Sequence, residues 1–526
     1  MACPHSQSLR ASVRIALSVS LAALSAFAQD RPGYDQPYRP QYHFSPQTNW
    51  TNDPNGPVYF KGEYHLFFQY NPFGDRWGHM SWGHAVSPDL VHWKELPVAL
   101  TEEGGVMIFT GSTVVDRQNS SGFCQGGTPC LVAIYTGHTA ATKTSKALQT
   151  QNLAFSNDGG RTWTKYRGNP VLNLNLPDFR DPDVFPSDSG KRWVMAVSLP
   201  DDHKVSFYGS SNLREWEHLS DFGPAGAVSG QWECPNLIQL PVDGNPEKTM
   251  WVLKVGLNPG ALQGGSGEQY FVGRFDGTRF VNANPSAVTL WSDYGKDCYC
   301  ALSFNDLPKT ESPVMIGWMD NWQYADKLPT RPWRGQMTIP RDIALRTFPE
   351  GIRLVQVPAV RTKALDEKHQ FWKKGGTAEV NRAIARDPIR SHSFRLRATF
   401  TLAGSKEVGL KVFAKGANYT LVGFDPDRGK LFVDRSHSGQ TSFSQNFAAR
   451  VVAPLRTAAR ELELEILADR NSLEVFADGG HVVMTNLVFP DKDAYGLETF
   501  SSDAGATVAL EAWTLRSIWP ELPGRR

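Results

Sequence analysis

The chain has 526 residues, more than one ordinary hydrophobic core accommodates, so two domains are expected. Lysine plus arginine (54) almost balances aspartate plus glutamate (53), leaving a net charge of +1 with no long block of one sign, which argues against nucleic acid or another strongly charged polymer as partner. The 16 tryptophans stand largely beside Gly, Asn and Asp, a composition shared by short-strand folds and by surfaces that stack sugars.

Arg10 and Arg14 precede an apolar run from Ile15 to Phe27 that ends in Ala26-Phe27-Ala28. This pattern predicts a secretory signal peptide over 1–28, a mature chain beginning near Gln29, and a secreted or periplasmic protein. The run is short for a membrane span, and no later segment approaches spanning length.

Next comes Trp50-Thr51-Asn52-Asp53-Pro54-Asn55-Gly56, read as a Pro/Gly turn that fixes an acidic residue ahead of the apolar strand Tyr64 to Tyr70. Comparable runs recur at Leu131 to Gly137, Trp193 to Leu199, Trp251 to Gly256 and Val314 to Met319, about 60 residues apart, a spacing near that of propeller blades. A polar turn before an aromatic tracks the same period: Ser87-Pro88-Asp89 before Trp93, Ser156-Asn157-Asp158 before Trp163, Ser210-Ser211-Asn212 before Trp216, and more loosely Asp276-Gly277 before Phe280. The expected fold is therefore all-β, with a five-bladed β-propeller over 29–349. A pair of sandwiches or an irregular all-β domain is the alternative reading. The stretch 350–376, with Pro358 and Gly375-Gly376, reads as a linker, and the short alternating runs over 377–526 as a C-terminal β-sandwich domain.

Cys124 and Cys130 bracket a Gly-rich loop that a small disulfide can close, with buried thiols as the other possibility. Cys298 and Cys300 alternate along one strand and read as small buried residues, with no histidines nearby for a zinc site. Gly264-Gly265-Ser266-Gly267 lacks the following helix and lysine of a phosphate cradle. No metal and no organic cofactor are expected.

Two further carboxylates occupy settings like that of Asp53: Asp181 in Arg180-Asp181-Pro182, before the third run, and Glu233 in Glu233-Cys234-Pro235, before the fourth. Any one of them alone reads as turn chemistry. All three in register with a radial repeat converge on one mouth, and converging acids without a metal suit glycoside hydrolysis, which needs a proton donor and a nucleophile or base. Glu233, between Trp232 and Cys234, is expected to be desolvated and to serve as the acid. Asp53 suits the nucleophile. Arg180 is expected to keep Asp181 ionised, for charge stabilisation.

With Phe109-Thr110-Gly111-Ser112, Arg331-Pro332-Trp333-Arg334-Gly335, and the tail segment Asp469-Arg470-Asn471-Ser472-Leu473-Glu474, these motifs resemble glycoside hydrolase family 32, the β-fructosidases, over about Tyr42 to Trp519. The resemblance implies a five-bladed propeller plus sandwich and a retaining, exo-acting hydrolysis of levan, inulin or sucrose. It assigns Asp53 as nucleophile, Glu233 as acid/base and Asp181 as transition-state stabiliser, with Asn52, Gln69, Trp77, Phe109, Thr110, Arg180 and Trp333 around the terminal fructose. Thr51 stands where the family commonly has Met, and Thr110 where it commonly has Ser. Three other readings are a fructosyltransferase of the same family, an inverting five-bladed hydrolase of arabinan or xylan, and a propeller that binds carbohydrate without turnover. The last of these has no need of three acids.

Overall fold

A computed structural model describes residues 33–187, 192–455, 461–503 and 505–520; the expected signal peptide lies outside them. Five four-stranded antiparallel blades are arranged around an axis. The first strands of the blades are Asn49–Phe60, Val106–Asp116, Arg180–Pro186, Gln231–Val242 and Tyr299–Ser303. These five strands pack on one another in a closed ring, the fifth returning to the first. Trp333–Arg334, in the connection between the second and third strands of the fifth blade, adds a short parallel pairing to Asn49–Trp50 and so helps close the circle on the first blade.

The five apolar runs visible in the sequence are the second strands of the blades, one position out from the axis: Glu63–Asn71, Cys130–Thr139, Trp193–Leu199, Asn245–Asn258 and Val314–Trp318. Their continuous hydrophobicity follows from their place, because neighbouring blades cover both faces. In the second blade Leu131, Ala133 and Tyr135 pack toward the first blade with Phe67 and Trp82, whereas Val132 and Ile134 pack toward the third with Val184 and Met195. In the third blade Met195 and Val197 turn back to the second, and Val194 and Ala196 forward to the fourth. Strand alternation thus distributes one core among the gaps between blades.

The recurrent polar turns join third to fourth strands. Asp89 Oδ1 accepts from the amides of Val91 and His92, Asp158 Oδ1 from Arg161 and Thr162, Asn212 Oδ1 from Arg214 and Glu215, and Asp276 Oδ1 from Thr278 and Arg279. A short acidic or amide side chain is the residue type that caps such a turn, so the repeat carries a backbone function.

The second domain is a sandwich of two sheets. One runs Asp366–Gly376, Thr507–Leu515, Phe394–Thr401, Glu461–Asp469, Ser472–Ala477, Val482–Leu487. The other runs Arg450–Pro454, Lys430–His437, Asn418–Asp425, Val408–Lys415, Gly496–Ser501. Helix Thr377–Arg386 turns Val380 and Ile384, four residues apart, into the sandwich core. Among the described residues no helix is long and apolar enough to cross a membrane.

The expected linker over 350–376 is a correction. Gly351–Pro358 pairs with Arg341–Phe348 as the outer strand of the fifth blade, and Asp366–Gly376 pairs with Thr507–Leu515 as the edge of a sandwich sheet. Pro358 ends a strand and Gly375-Gly376 ends another, so these residues punctuate pairing rather than loosen the chain. Only Ala359 to Leu365 crosses between the domains.

The domains share a buried polar seam. Arg341 of the fifth blade donates to Glu474 at 2.9 Å and Asp293 at 3.0 Å, while His43 lies 2.9 Å from Asp469 and 3.1 Å from Glu474. Arg435 of the sandwich pairs with Asp297 of the propeller at 2.5 Å. Tyr42, Phe44, Phe68, Leu467, Phe476 and Val483 form the adjoining apolar contact.

Candidate active site

A regular strand turns successive side chains to opposite faces, so it cannot present two neighbours to one cavity. Each first strand breaks that rule at an equivalent point. The pairing register with the second strand slips between Thr51 and Pro54, Ile108 and Gly111, Arg180 and Asp183, Glu233 and Asn236, and Tyr299 and Leu302. At these bulges Asp181, Cys234 and Cys300 adopt left-handed backbone, with φ of 66°, 48° and 48°. Strained non-glycine backbone of this kind persists where the surroundings fix it, and it re-aims side chains. The segment expected to be a turn, Trp50 to Gly56, is therefore a bulged strand, with Asp53 inside it.

The bulges open on a cavity of about 360 Å³ lined by Asn52, Asp53, Gln69, Trp77, Phe109, Thr110, Arg180, Asp181 and Glu233, all expected from the sequence. Consecutive residues enter it from three blades: Asn52 with Asp53, Phe109 with Thr110, Arg180 with Asp181. Trp333 is the exception. Its strand pairing turns the ring away from the cavity, where it is fully buried with the Arg39 guanidinium 3.6 Å above it. Trp322 takes the place at the wall, stacked on Trp50 at 5.8 Å and close to Trp318. His138, Gln149, Asp178 and Asn258 complete the lining and were not singled out. The aromatic cluster just after the fifth apolar run was the available sign for Trp322. His138 and Gln149 stand in polar strand ends without any motif.

The three carboxylates are tied together. Thr110 Oγ1 donates to Asp53 Oδ2 at 2.9 Å, and Asp53 Oδ1 is buried without a hydrogen-bond partner. The Cys234 amide donates to Asp181 Oδ2 at 2.9 Å. Arg180 donates to Glu233 Oε1 from Nε at 3.1 Å and Nη2 at 2.9 Å, and to Asp178 at 2.6 Å. Tyr299 Oη donates to Glu233 Oε2. Gln69 holds its place by donating to the Ile108 carbonyl, and Asn52 accepts from the Trp50 indole. Phe109 lies flat on His138, ring centres 4.5 Å apart, with Trp77 edge-on at the rim.

Two electrostatic expectations change. Arg180 grips Glu233 and reaches only within 4.0 Å of Asp181. Burial, with the charges of Glu233 and Asp53 added, outweighs that contact and raises Asp181 to about 7. Asp53 is likewise raised to about 7, first by burial and then by Glu233, against the Thr110 hydrogen bond. Trp232 does not cover Glu233; its ring packs into the core between the third and fourth blades, and its indole donates to Ala227. Glu233 is the most accessible of the three, its side chain 18% exposed.

The Thr110 hydroxyl favours the charged form of Asp53. Thr110→Val therefore raises the acidic limb of the kcat/KM profile by up to about one pH unit, the equivalent of one hydrogen bond to a charged group. A limb at the wild-type position in that variant assigns the hydroxyl to another duty.

The Cys124–Cys130 disulfide is formed, one of the two possibilities left by the sequence. Cys300, expected to be a plain buried thiol, is instead bonded to Cys234 of the neighbouring blade, while Cys298 remains a buried thiol. The two bulges bring Cys234 and Cys300 together across 66 residues, a proximity that local spacing does not reveal.

Comparison with known proteins gives a consistent result. The N-terminal domain model of glycosyl hydrolases family 32 matches residues 43–358, and the C-terminal model matches 359–514, meeting where the fifth blade ends. The chain is 45% identical over 508 residues to a levanase of Bacillus subtilis (strain 168), covering 95% of this chain and 74% of that protein. It is 41% identical over 542 residues to an extracellular exo-inulinase of Aspergillus niger, covering 96% and 99%. Among solved structures, exo-inulinase from Aspergillus awamori superposes with a TM-score of 0.85 at 39% identity, covering 93% of this chain and all of that one. A β-fructofuranosidase from Schwanniomyces occidentalis complexed with fructosyl-erythritol gives 0.82 at 32%, covering 92% and 99%.

Proposed function

The chain belongs to glycoside hydrolase family 32, and from that membership we propose that it removes terminal β-D-fructofuranosyl residues from fructans and sucrose by a retaining double displacement. The observation that carries the reading is the convergence of Asp53, Asp181 and Glu233, from three different blades, on one cavity. A levanase and exo-inulinases among the relatives agree with fructans as the substrate class, and a fructofuranosidase among the similar structures agrees with terminal fructosyl units.

In the first half-reaction Glu233 gives its proton to the departing glycosidic oxygen while an oxygen of Asp53 bonds to the anomeric carbon. The Thr110 hydroxyl holds that carboxylate in place through Oδ2. In the second, Glu233 takes a proton from water, the water oxygen bonds to the anomeric carbon, and the bond to Asp53 breaks. Asp181, held by the Cys234 amide, faces the sugar hydroxyls and the positive charge that develops on the ring. Phe109, Trp77 and Trp322 provide apolar walls. The carboxylates suffice for this chemistry without a metal or organic cofactor. Export of the protein fits the apolar leader and the extracellular relatives.

Chromatography of early products from levan, inulin and sucrose tests the reading. Free fructose from each is expected; a ladder of oligosaccharides means endo attack, and longer fructosides at high sucrose mean transfer. No release from any of the three overturns the assignment.

A further inference from the structure

We propose that the Cys234–Cys300 disulfide is a positioning element of the reaction, locking the acid/base to its hydrogen-bond donor and setting an aprotic sulfur against the nucleophile. The inference rests on the fructosidase reading and concerns the same site. Each cysteine is the left-handed residue of its strand's bulge, and each directly follows a residue that meets the other across the gap: Glu233 before Cys234, Tyr299 before Cys300. The crosslink thus ties together the two backbones that aim the Tyr299 hydroxyl and the Glu233 carboxylate. Its reach extends to the other acids, since the Cys234 amide holds Asp181 and the Cys234 sulfur lies 3.7 Å from Asp53 Oδ2. A disulfide sulfur has no hydrogen to donate, so it adds burial around Asp53 without supporting its charge. Both residues are essentially inaccessible, so no solvent compensates.

Opening the bond by mutation has two separable effects. In Cys300→Ala, Cys234 becomes a thiol whose S–H faces Asp53 Oδ2 and favours the carboxylate, so the acidic limb of kcat/KM moves to lower pH. In the double variant Cys234→Ala/Cys300→Ala that donor is missing and the downward shift is absent. In both, the freed bulges let Glu233 wander, and kcat falls about 10- to 100-fold while KM stays within about twofold, as expected for a misplaced acid/base.

The experiment measures pH profiles on sucrose for the wild type and both variants, with melting temperatures alongside and peptide mapping of the active wild type. The expected result is a Cys234–Cys300 crosslinked peptide, a kcat loss in both variants, and a limb shift confined to Cys300→Ala. The proposal is overturned by wild-type kcat and pH profile in the variants, whatever their melting temperatures, or by free thiols at 234 and 300 in the active enzyme. Where a variant does not fold, peptide mapping keeps the proposal open to refutation, because free thiols at 234 and 300 in the active wild type overturn it. Wild-type protein that releases fructose from none of levan, inulin and sucrose overturns the fructosidase reading; active wild type with unaltered variants overturns only the positioning role.

Discussion

Asp53→Asn is expected to lose at least about 10⁴-fold in turnover and yet to melt at a higher temperature than the wild type at pH 7. The loss follows from removing the atom that forms the covalent intermediate. The gain follows from burial. The Asp53 carboxyl titrates at about 7 in the folded protein and near 3.8 when free, so the folded state takes up its proton more readily than the unfolded chain. A carboxylate raised in this way destabilises the fold increasingly as pH climbs from about 4 to 7. A neutral amide of the same shape avoids that penalty, on the order of 2 to 4 kcal/mol. At pH 4 the wild type holds the proton itself and the difference disappears, so paired melts at pH 4 and 7 check the mechanism. Equal melting temperatures at pH 7 would mean that the aspartate is not under electrostatic pressure. Glu233→Gln makes a different comparison. It loses about 10² to 10⁴ on substrates whose leaving oxygen needs a proton and far less on those with an acidic leaving group.

Arg341→Met is expected to lower the stability of the whole chain by about 3 to 5 kcal/mol, although residue 341 is remote from the cavity. Asp293 would be left buried without its cation, and Glu474 with His43 alone. The second variant Arg341→Met/Asp293→Asn removes the orphaned charge and recovers part of the loss; no recovery would mean that packing, not charge, explains the first. His43 sets the alkaline behaviour of the same seam. Burial pushes its pKa down, but its bonds to Asp469 and Glu474 prevail and raise it to about 9. The resulting stabilisation is complete below about pH 6.5 and disappears as pH rises through 9, roughly 3 kcal/mol in all. Asp469 and Glu474 are lowered below the ordinary carboxylate range despite burial, by His43 for the first and chiefly by Arg341 for the second. Their contribution is present above about pH 4.5 and is lost in acid. Denaturant melts at pH 6 and pH 9 read the alkaline loss, and His43→Gln should flatten it.

The blades were legible because their second strands are covered on both sides and must be apolar throughout, as Leu131 to Tyr135 are. The Asx turns at Asp89, Asp158 and Asn212 were legible because few side chains cap such turns. The acids were legible as residues but not as geometry. Asp53 was placed in a turn because Pro54, Asn55 and Gly56 have turn chemistry, and a bulge uses the same residue types. Trp333 was misplaced because a motif names a residue without saying which way a paired strand turns it. The charge on Asp181 was misjudged because Arg180 is adjacent in sequence, while its guanidinium extends to another blade. Residues 350–376 were read as a tether because Pro and Gly mark the ends of strands as well as the middle of loops.

The repeated irregularity of the first strands gives this scaffold a particular kind of versatility. Three blades offer two adjoining berths at the hub, and the same break in strand pairing recurs in all five. Acids, aromatics and a sulfur bridge share the same architectural address in different blades. New chemistry can be written there by exchanging occupants, two letters at a time, while the walls stay as they are.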